Sequence, residues 1–462
     1  MNIGPAFRRF GALWLFLVVL VAACSSSADV AAPESTTSTP PTTDGENTTT
    51  SPPSTASPAT ESADADGADD DDAQAPSVVE RRGPADIADF AGLAGQIAFR
   101  SDGGAIFVVS PDGSNPVAIS ETIPGQRSQP TWSNDGSRVA WSSFGGDGAV
   151  VSIASTTGAE RIDIASPTAA FFLSWSNDDA WLAGLGPAGT GVELFLAATT
   201  DGDVRRVGVG QPFYIDWTQD NALVAAISGA TVADISTGQT PPSERDLETP
   251  LGAFLAPASV DSDRTLVATV NSFGGNDLTI LSAADDDDVV ASARGSMRFS
   301  PNPVDETIAV LVLDDDPDSQ TIAYQVDTPP NLAAGSVSIL GPATGTAEVL
   351  DIDDALAISW SPDGNTLAVL RFAPGGLEWL FVQGNTILPG DPFIGSAEFS
   401  RSYLPFADQY DRASTWWSPD SQAMVFSGTI DGESGIWVDL VDDESGAAKI
   451  ADGDIAFWSP SQ

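Results

Sequence analysis

The side chains able to do chemistry are few and unevenly placed. There is no histidine among the 462 residues, which excludes histidine triads, histidine general bases and histidine metal sites. Cys24 is the only cysteine, so an intramolecular disulfide and a cysteine-built zinc site are excluded as well. Carboxylate, tyrosine and arginine chemistry remains. The densest grouping is Phe393, Phe399, Arg401, Tyr403, Phe406, Tyr410 and Arg412, which gathers aromatics and two scarce arginines in one stretch. That composition suits a ligand- or protein-binding surface, the alternative being a loop whose aromatics only pack on the rim of the domain. Asp408 and Asp411 lie among the same residues. With Tyr403 or Tyr410 they are the groups a carboxylate-based glycan hydrolase or lyase would use. The acidic run 285–288 and Asp442, Asp443 and Glu444 offer oxygen ligands for calcium, the basis of a third option, a metal-stabilised structural module. Solvated turns account for such runs more simply, so no metal ligands and no cofactor are assigned. Phosphate-cradling loops and a histidine-supported nucleophile elbow are absent, which points away from an enzyme.

Asp and Glu number 65 against 18 Lys and Arg, a net charge of −47. Such a field repels nucleic acid and anionic membrane surfaces and favours solubility. Lys449 is the sole lysine, so arginine carries nearly all the positive charge.

The amino terminus has the order of an export signal: Arg8 and Arg9, an apolar run over 11–23, then Cys24. The run is too short to span a bilayer. Val21, Ala22 and Ala23 before the cysteine resemble the lipobox of bacterial lipoproteins. The resemblance implies cleavage after residue 23, a lipid on Cys24, and anchoring at the outer face of the cytoplasmic membrane. Residues 25–86 contain only Val30, Val78 and Val79 as large apolar side chains among Ser, Thr, Pro, Ala and Asp. Such a segment cannot bury enough surface to offset its ordering entropy. As a flexible coil it would span on the order of 45 Å, and charge repulsion would extend it. The sequence therefore divides into a signal at 1–23, a lipid-bearing linker at 24–92 and a folded domain at 93–462.

Beyond residue 92 the texture becomes short Val-, Ile-, Leu- and Phe-rich runs separated by Gly, Asp, Asn and Pro, an all-β pattern. An aromatic-Ser-x-Asp turn leading into an apolar strand recurs. It appears at Trp132 with Asp135, Trp175 with Asp178, Trp217 with Asp220, a degenerate stretch from Ser259, Phe299-Ser300-Pro301, Trp360 with Asp363, Trp417 with Asp420, and Trp458. The successive steps of 43, 42, 42, 40, 61, 57 and 41 residues suit four-stranded blades, two of them carrying insertions. The Trp360-Ser361-Pro362-Asp363-Gly364 turn and its relatives resemble the WD40-like repeat of TolB-like β-propellers. The motif residues are expected to be framework: the aromatic wedges between blades and Asp accepts turn N–H groups.

Residues 95–100, 105–110 and 116–120 supply three strands with no inner strand before them. Residues 455–459 supply one inner strand at the carboxyl end, so the ring is expected to close by pairing the two ends. Eight blades fit this count, with seven as the alternative. Connections between strands one and two and between three and four share one face. The long insertions, 314–334 and 393–414, fall on the other, the second leading into the last full repeat. Long loops in a compact domain are commonly functional. The sequence thus points to a membrane-anchored extracytoplasmic binding scaffold that recognises an envelope protein or a glycan.

Overall fold

The computed structural model describes residues 77–78, 83–121, 128–145, 148–210, 213–218, 221–227, 231–235, 243–246, 251–255, 266–272, 275–281, 288–293, 296–313, 334–341, 346–411, 413–441 and 445–461. By its internal contacts the chain divides into units 1–71 and 72–462, and every described residue belongs to the second. Cys24, Asp220, Arg412, the insertion 314–333 and the acidic residues 285–287 and 442–444 lie outside the described residues.

Apolar runs punctuated by turn residues fold into antiparallel meanders of a β-propeller. Among the described residues there are six four-stranded sheets, one nine-stranded sheet and one two-stranded sheet. The nine-stranded sheet is two further four-stranded meanders joined by a single bridge, Gly335 to Ala355, plus one added strand. In chain order, sheet I comprises Ile97–Arg100, Ile106–Val109 and Val117–Ala118, with Ile455–Trp458 as its inner strand. Sheet II is Thr131–Trp132, Arg138–Gly145, Gly148–Ser155 and Arg161–Ser166. Sheet III is Phe172–Trp175, Trp181–Ala188, Gly191–Ala198 and Val204–Gly210. Sheet IV begins at Phe213–Trp217 and ends at Ser243–Asp246, and sheet V runs from Leu251–Leu255 to Asp288–Ala293. Sheet VI opens on Met297–Pro301, sheet VII on Ala355–Trp360, and sheet VIII has Ala423–Ile430, Glu433–Leu440 and Ala448–Ala451 as its outer three strands.

Burial follows position within each meander. Second and third strands are covered on both faces, as from Leu182 to Gly186, and read as continuous apolar runs. Fourth strands have few fully buried residues, as in Arg161–Ser166, where only Ile164 is buried. The expected closure is present: Ile97 pairs with Trp458 and Arg100 with Ile455, so the carboxyl-terminal strand completes the first sheet.

The folded unit begins earlier than residue 93. Ser77–Val78 adds in parallel to the outer edge of sheet VII, against Thr386 and Ile387. Gly83–Pro84 pairs with Ser445–Gly446 beside sheet VIII. A 3-10 turn, Ile87–Gly92, capped by Asp86, then buries Phe90 completely in the core shared with sheets I and VIII. Phe90 is the one large side chain of this stretch that is fully buried, and Ala85 and Leu93 pack against the same core, which supplies the reason for this docking.

Candidate functional site

The repeated turns build the seams between sheets. Four serines after the motif aromatic donate the backbone N–H to a carbonyl five residues on, Ser133 to Arg138, Ser176 to Trp181, Ser361 to Thr366 and Ser418 to Ala423, while Ser459 donates to Gln96. The serine hydroxyls donate to Asp135, Asp178 and Asp363 at 2.7, 2.6 and 2.6 Å. Burial opposes the charge on Asp135 and Asp363, yet hydrogen bonds from Ser133 and Ser137, and from Ser361 and Asn365, hold both carboxyls below the usual range. The indole N–H groups cross the seams. Trp132 donates to the Phe457 carbonyl, Trp175 to Thr131, Trp217 to Ser174 and Trp360 to Ser300. In each case the acceptor sits one residue before the motif position of the preceding sheet. Trp458 donates to Ala94, and Asp420 accepts from the Ala94 N–H, tying sheet VIII to the start of sheet I. Trp417 breaks the series: its buried N–H has no acceptor among the described residues, and its ring packs edge-on at 6.3 Å from Phe381.

The same rule corrects the register of sheet VI. Trp360 donates to Ser300, and Asn302 makes the turn bond to Thr307, so Asn302 occupies the serine position and Pro301 the aromatic one. Phe299-Ser300-Pro301 imitates the motif two residues too early.

A second stitch runs between turns. The residue with positive φ in each turn is Gly136, Asp179, Asn221, Gly364 or Ser421. Asp179 accepts from the N–H groups of Asn134 and Asp135 and from the Asn134 side chain, at 2.7 to 3.0 Å. Asn221 and Ser421 accept from the Asp178 and Asp363 N–H groups. Where this position is glycine the neighbour fills it: a Cβ on Gly136 or Gly364 would fall against the side chains of Ser461 or Asn302.

The aromatic insertion is placed differently from expectation. Ile394–Gly395 already pairs with Thr429 and Gly428 as the first half of the inner strand of sheet VIII. The second half appears only at residues 415–417, where Trp417 bridges to Met424. Residues 396–414 therefore interrupt this strand rather than precede it. They form a π-helical turn Phe399–Tyr403, a 3-10 turn Leu404–Phe406 and a helical turn Ala407–Tyr410.

This segment reaches the inner edges of sheets far apart in sequence. Tyr403 packs 5.2 Å from Phe457 of sheet I. Thr131 of sheet II donates to the Ala413 carbonyl. The Tyr410 hydroxyl donates to Phe171 at 2.8 Å, and its ring meets Phe172 of sheet III edge-on at 5.3 Å. The Gln409 amide donates to the Ile215 carbonyl of sheet IV at 3.0 Å and accepts its N–H at 3.4 Å. Arg298 of sheet VI donates to Leu404 and Pro405 and also to Leu356 of sheet VII. A segment of this length touches so many inner strands only by lying across the axis they surround. It is a plug.

Four of the seven residues expected to contact a ligand are therefore core. Phe393, Phe399, Tyr403 and Tyr410 retain 1, 1, 0 and 7% of their exposure, in a cluster completed by Trp416 and Phe426. Phe406, 45% exposed, and Arg401 face outward. The acid-chemistry reading fares the same way: the Tyr403 hydroxyl donates to Asp411 at 2.8 Å, and that of Tyr410 is engaged with Phe171. Burial, with the nearby Glu398 charge, pushes the Tyr410 phenol far above its ordinary range, against the lowering hydrogen bond with Gln129. Neither phenol is available to a substrate. No group of three or more metal-ligating side chains converges among the described residues. Packing of these aromatics on the rim, the alternative to a binding surface, could not be chosen or rejected from sequence, because buried and exposed aromatic loops share a composition.

No family model and no curated protein matches the chain. Solved structures do. One described as a eukaryotic initiation factor is similar at 13% identity and a TM-score of 0.52, over 80% of this chain and 98% of that one. The dihydro-heme d1 dehydrogenase NirN in complex with DHE is similar at 13% identity and 0.53, over 82% and 77%. TolB from Acinetobacter baumannii is similar at 14% identity and 0.35, over 55% and 63%. Likeness at such identities concerns the fold alone, so the resemblance drawn from the repeats stands at the level of the β-propeller.

Proposed function

We propose that this chain is an exported binding scaffold. Cys24 carries lipid at the outer face of the bacterial cytoplasmic membrane, the linker holds the propeller away from it, and the folded unit engages an envelope protein or glycan. The observation that carries the scaffold reading is the seated plug. It packs against inner strands of sheets I, II, III, IV and VI, and it engages both tyrosine hydroxyls internally. Recognition then falls to its outward residues, Arg401 and Phe406, held on a rigid base.

Metabolic labelling with an alkyne fatty acid tests the anchor. The native chain takes label and stays with the membrane, whereas Cys24→Ala takes none and is released; an unlabelled native chain ends that part of the proposal. In-cell crosslinking with mass spectrometry tests recognition. Envelope partners captured by the native protein are lost in Arg401→Ala/Phe406→Ala while its melting temperature is unchanged. Partners that persist in the variant refute recognition through the plug.

A further inference from the structure

The plug grips both strands that close sheet I. The carboxyl-terminal strand Ile455–Trp458 has only four residues, paired along one edge with Ile97–Arg100. Its other edge is met by the exit of the plug, where the Trp458 N–H donates to the Thr415 carbonyl at 2.8 Å. At the plug's entrance Ser396 donates its hydroxyl to the Asp454 carbonyl, and Glu398 pairs with Arg100 at 2.8 Å. Arg100 in turn forks onto Asp454 at 2.9 and 2.7 Å. In the middle, Tyr403 packs on Phe457. The amino-terminal strand and the carboxyl-terminal strand are thus held by one inserted segment. That segment is itself seated on sheets II, III, IV and VI through Thr131, Phe171, Ile215 and Arg298.

A two-ended closure of four residue pairs is weak by itself, since a short terminal strand is the part of a sheet that frays first. Apart from the Trp132 indole bond to the Phe457 carbonyl, the contacts on its second edge come from the plug and hold only while it is in place. We infer that residues 396–414 are the latch of the propeller, so that unseating the plug and releasing the carboxyl-terminal strand are one event. The plug's far anchors do not touch that strand. Under this inference they nonetheless protect it.

The test is hydrogen exchange by mass spectrometry on the full chain. Gln409→Ala/Arg298→Met removes anchors on sheets IV and VI and leaves every residue of sheet I unchanged. Exchange over 455–458 and 97–100 is expected to rise by at least about tenfold, the effect of losing roughly two net hydrogen bonds, while 182–197 of sheet III keeps its protection. A second variant replaces 397–413 by a short Gly-Ser turn and is expected to expose the same two strands further. Closing strands that keep native protection while 404–410 exchanges freely in the first variant, or while the second folds, overturn the inference.

Discussion

Replacing Tyr403 by alanine separates a plug from a contact surface by magnitude. The side chain is fully buried, with ring centroids of Trp416, Tyr410 and Phe457 at 4.9, 5.0 and 5.2 Å and Phe399 stacked at 6.1 Å. A tyrosine buries roughly 150–200 Å², worth about 4–5 kcal/mol at 25 cal/mol per Å². Large aromatics truncated in cores cost about 3–5 kcal/mol once partial collapse of the cavity is included. The hydroxyl adds little, because Asp411 is only partly buried and water can replace its partner. Tyr403→Ala is therefore expected to lose about 3–5 kcal/mol and to melt on the order of 5–10 °C lower by circular dichroism. Phe406→Ala, on the outer surface of the same segment, is expected to stay within about 0.5 kcal/mol of the native protein. Equal, small effects of the two substitutions would refute the assignment of this segment to the core.

Other expectations follow from the seams and the titrating groups. Asp179→Ala deletes three hydrogen bonds to the preceding turn and is expected to cost about 1.5–3 kcal/mol in urea denaturation, whereas Asp112→Ala, at an exposed turn, is expected to be near neutral. Gly364→Ala combines a φ of +70° with a Cβ against Asn302, and about 1–3 kcal/mol of stability should be lost; the paired change Gly364→Ala/Asn302→Ser should recover part of it. Because the Asp135 and Asp363 carboxyls titrate lower in the fold than in the unfolded chain, their contribution is full above about pH 4 and is lost as the pH falls through their folded values. Melting temperature against pH should show that decline, and it should shrink in Asp135→Asn/Asp363→Asn. The Tyr410 phenol titrates higher in the fold, so its contribution is full below about pH 10 and is lost as the pH rises towards its folded value; Tyr410→Phe should flatten this alkaline loss.

The legible part of the structure was local or periodic. The turn motif needs only residues within five positions of one another, and its recurrence announced the meanders. Closure of sheet I followed from three strands at one end lacking an inner strand and one inner strand at the other lacking partners. Non-local relations were illegible. Pro301 and Asn302 carry the motif geometry of sheet VI without its residue types, and only the indole of Trp360 on the next sheet reveals the register. Phe393, Phe399, Tyr403 and Tyr410 look alike in sequence whether they face a partner or an axis. The burial of Tyr410 and Tyr403 depends on Phe172 and Phe457, contributed by different sheets, and the segment that carries them is seated through Ile215 and Arg298 on two more. Phe90 shows the same limit in miniature: Ile87, Phe90 and Leu93 are all apolar in sequence, yet only the fold reveals that Phe90 is the one fully buried, drawing the end of the linker onto the core.

The alternation at the positive-φ position of the turns has a consequence for how such a protein can change. Asp179, Asn221 and Ser421 reach back to the neighbouring turn, whereas Gly136 and Gly364 receive a side chain from it. Each junction is thus a matched pair of a projecting and a receiving residue, and which side projects differs from seam to seam. A repeat unit transplanted from one place to another would bring either two side chains or none to its new junction. Duplication of a single repeat within this chain would need compensating substitutions on one flank only, the side that precedes it in sequence, and engineered insertions should be screened there first.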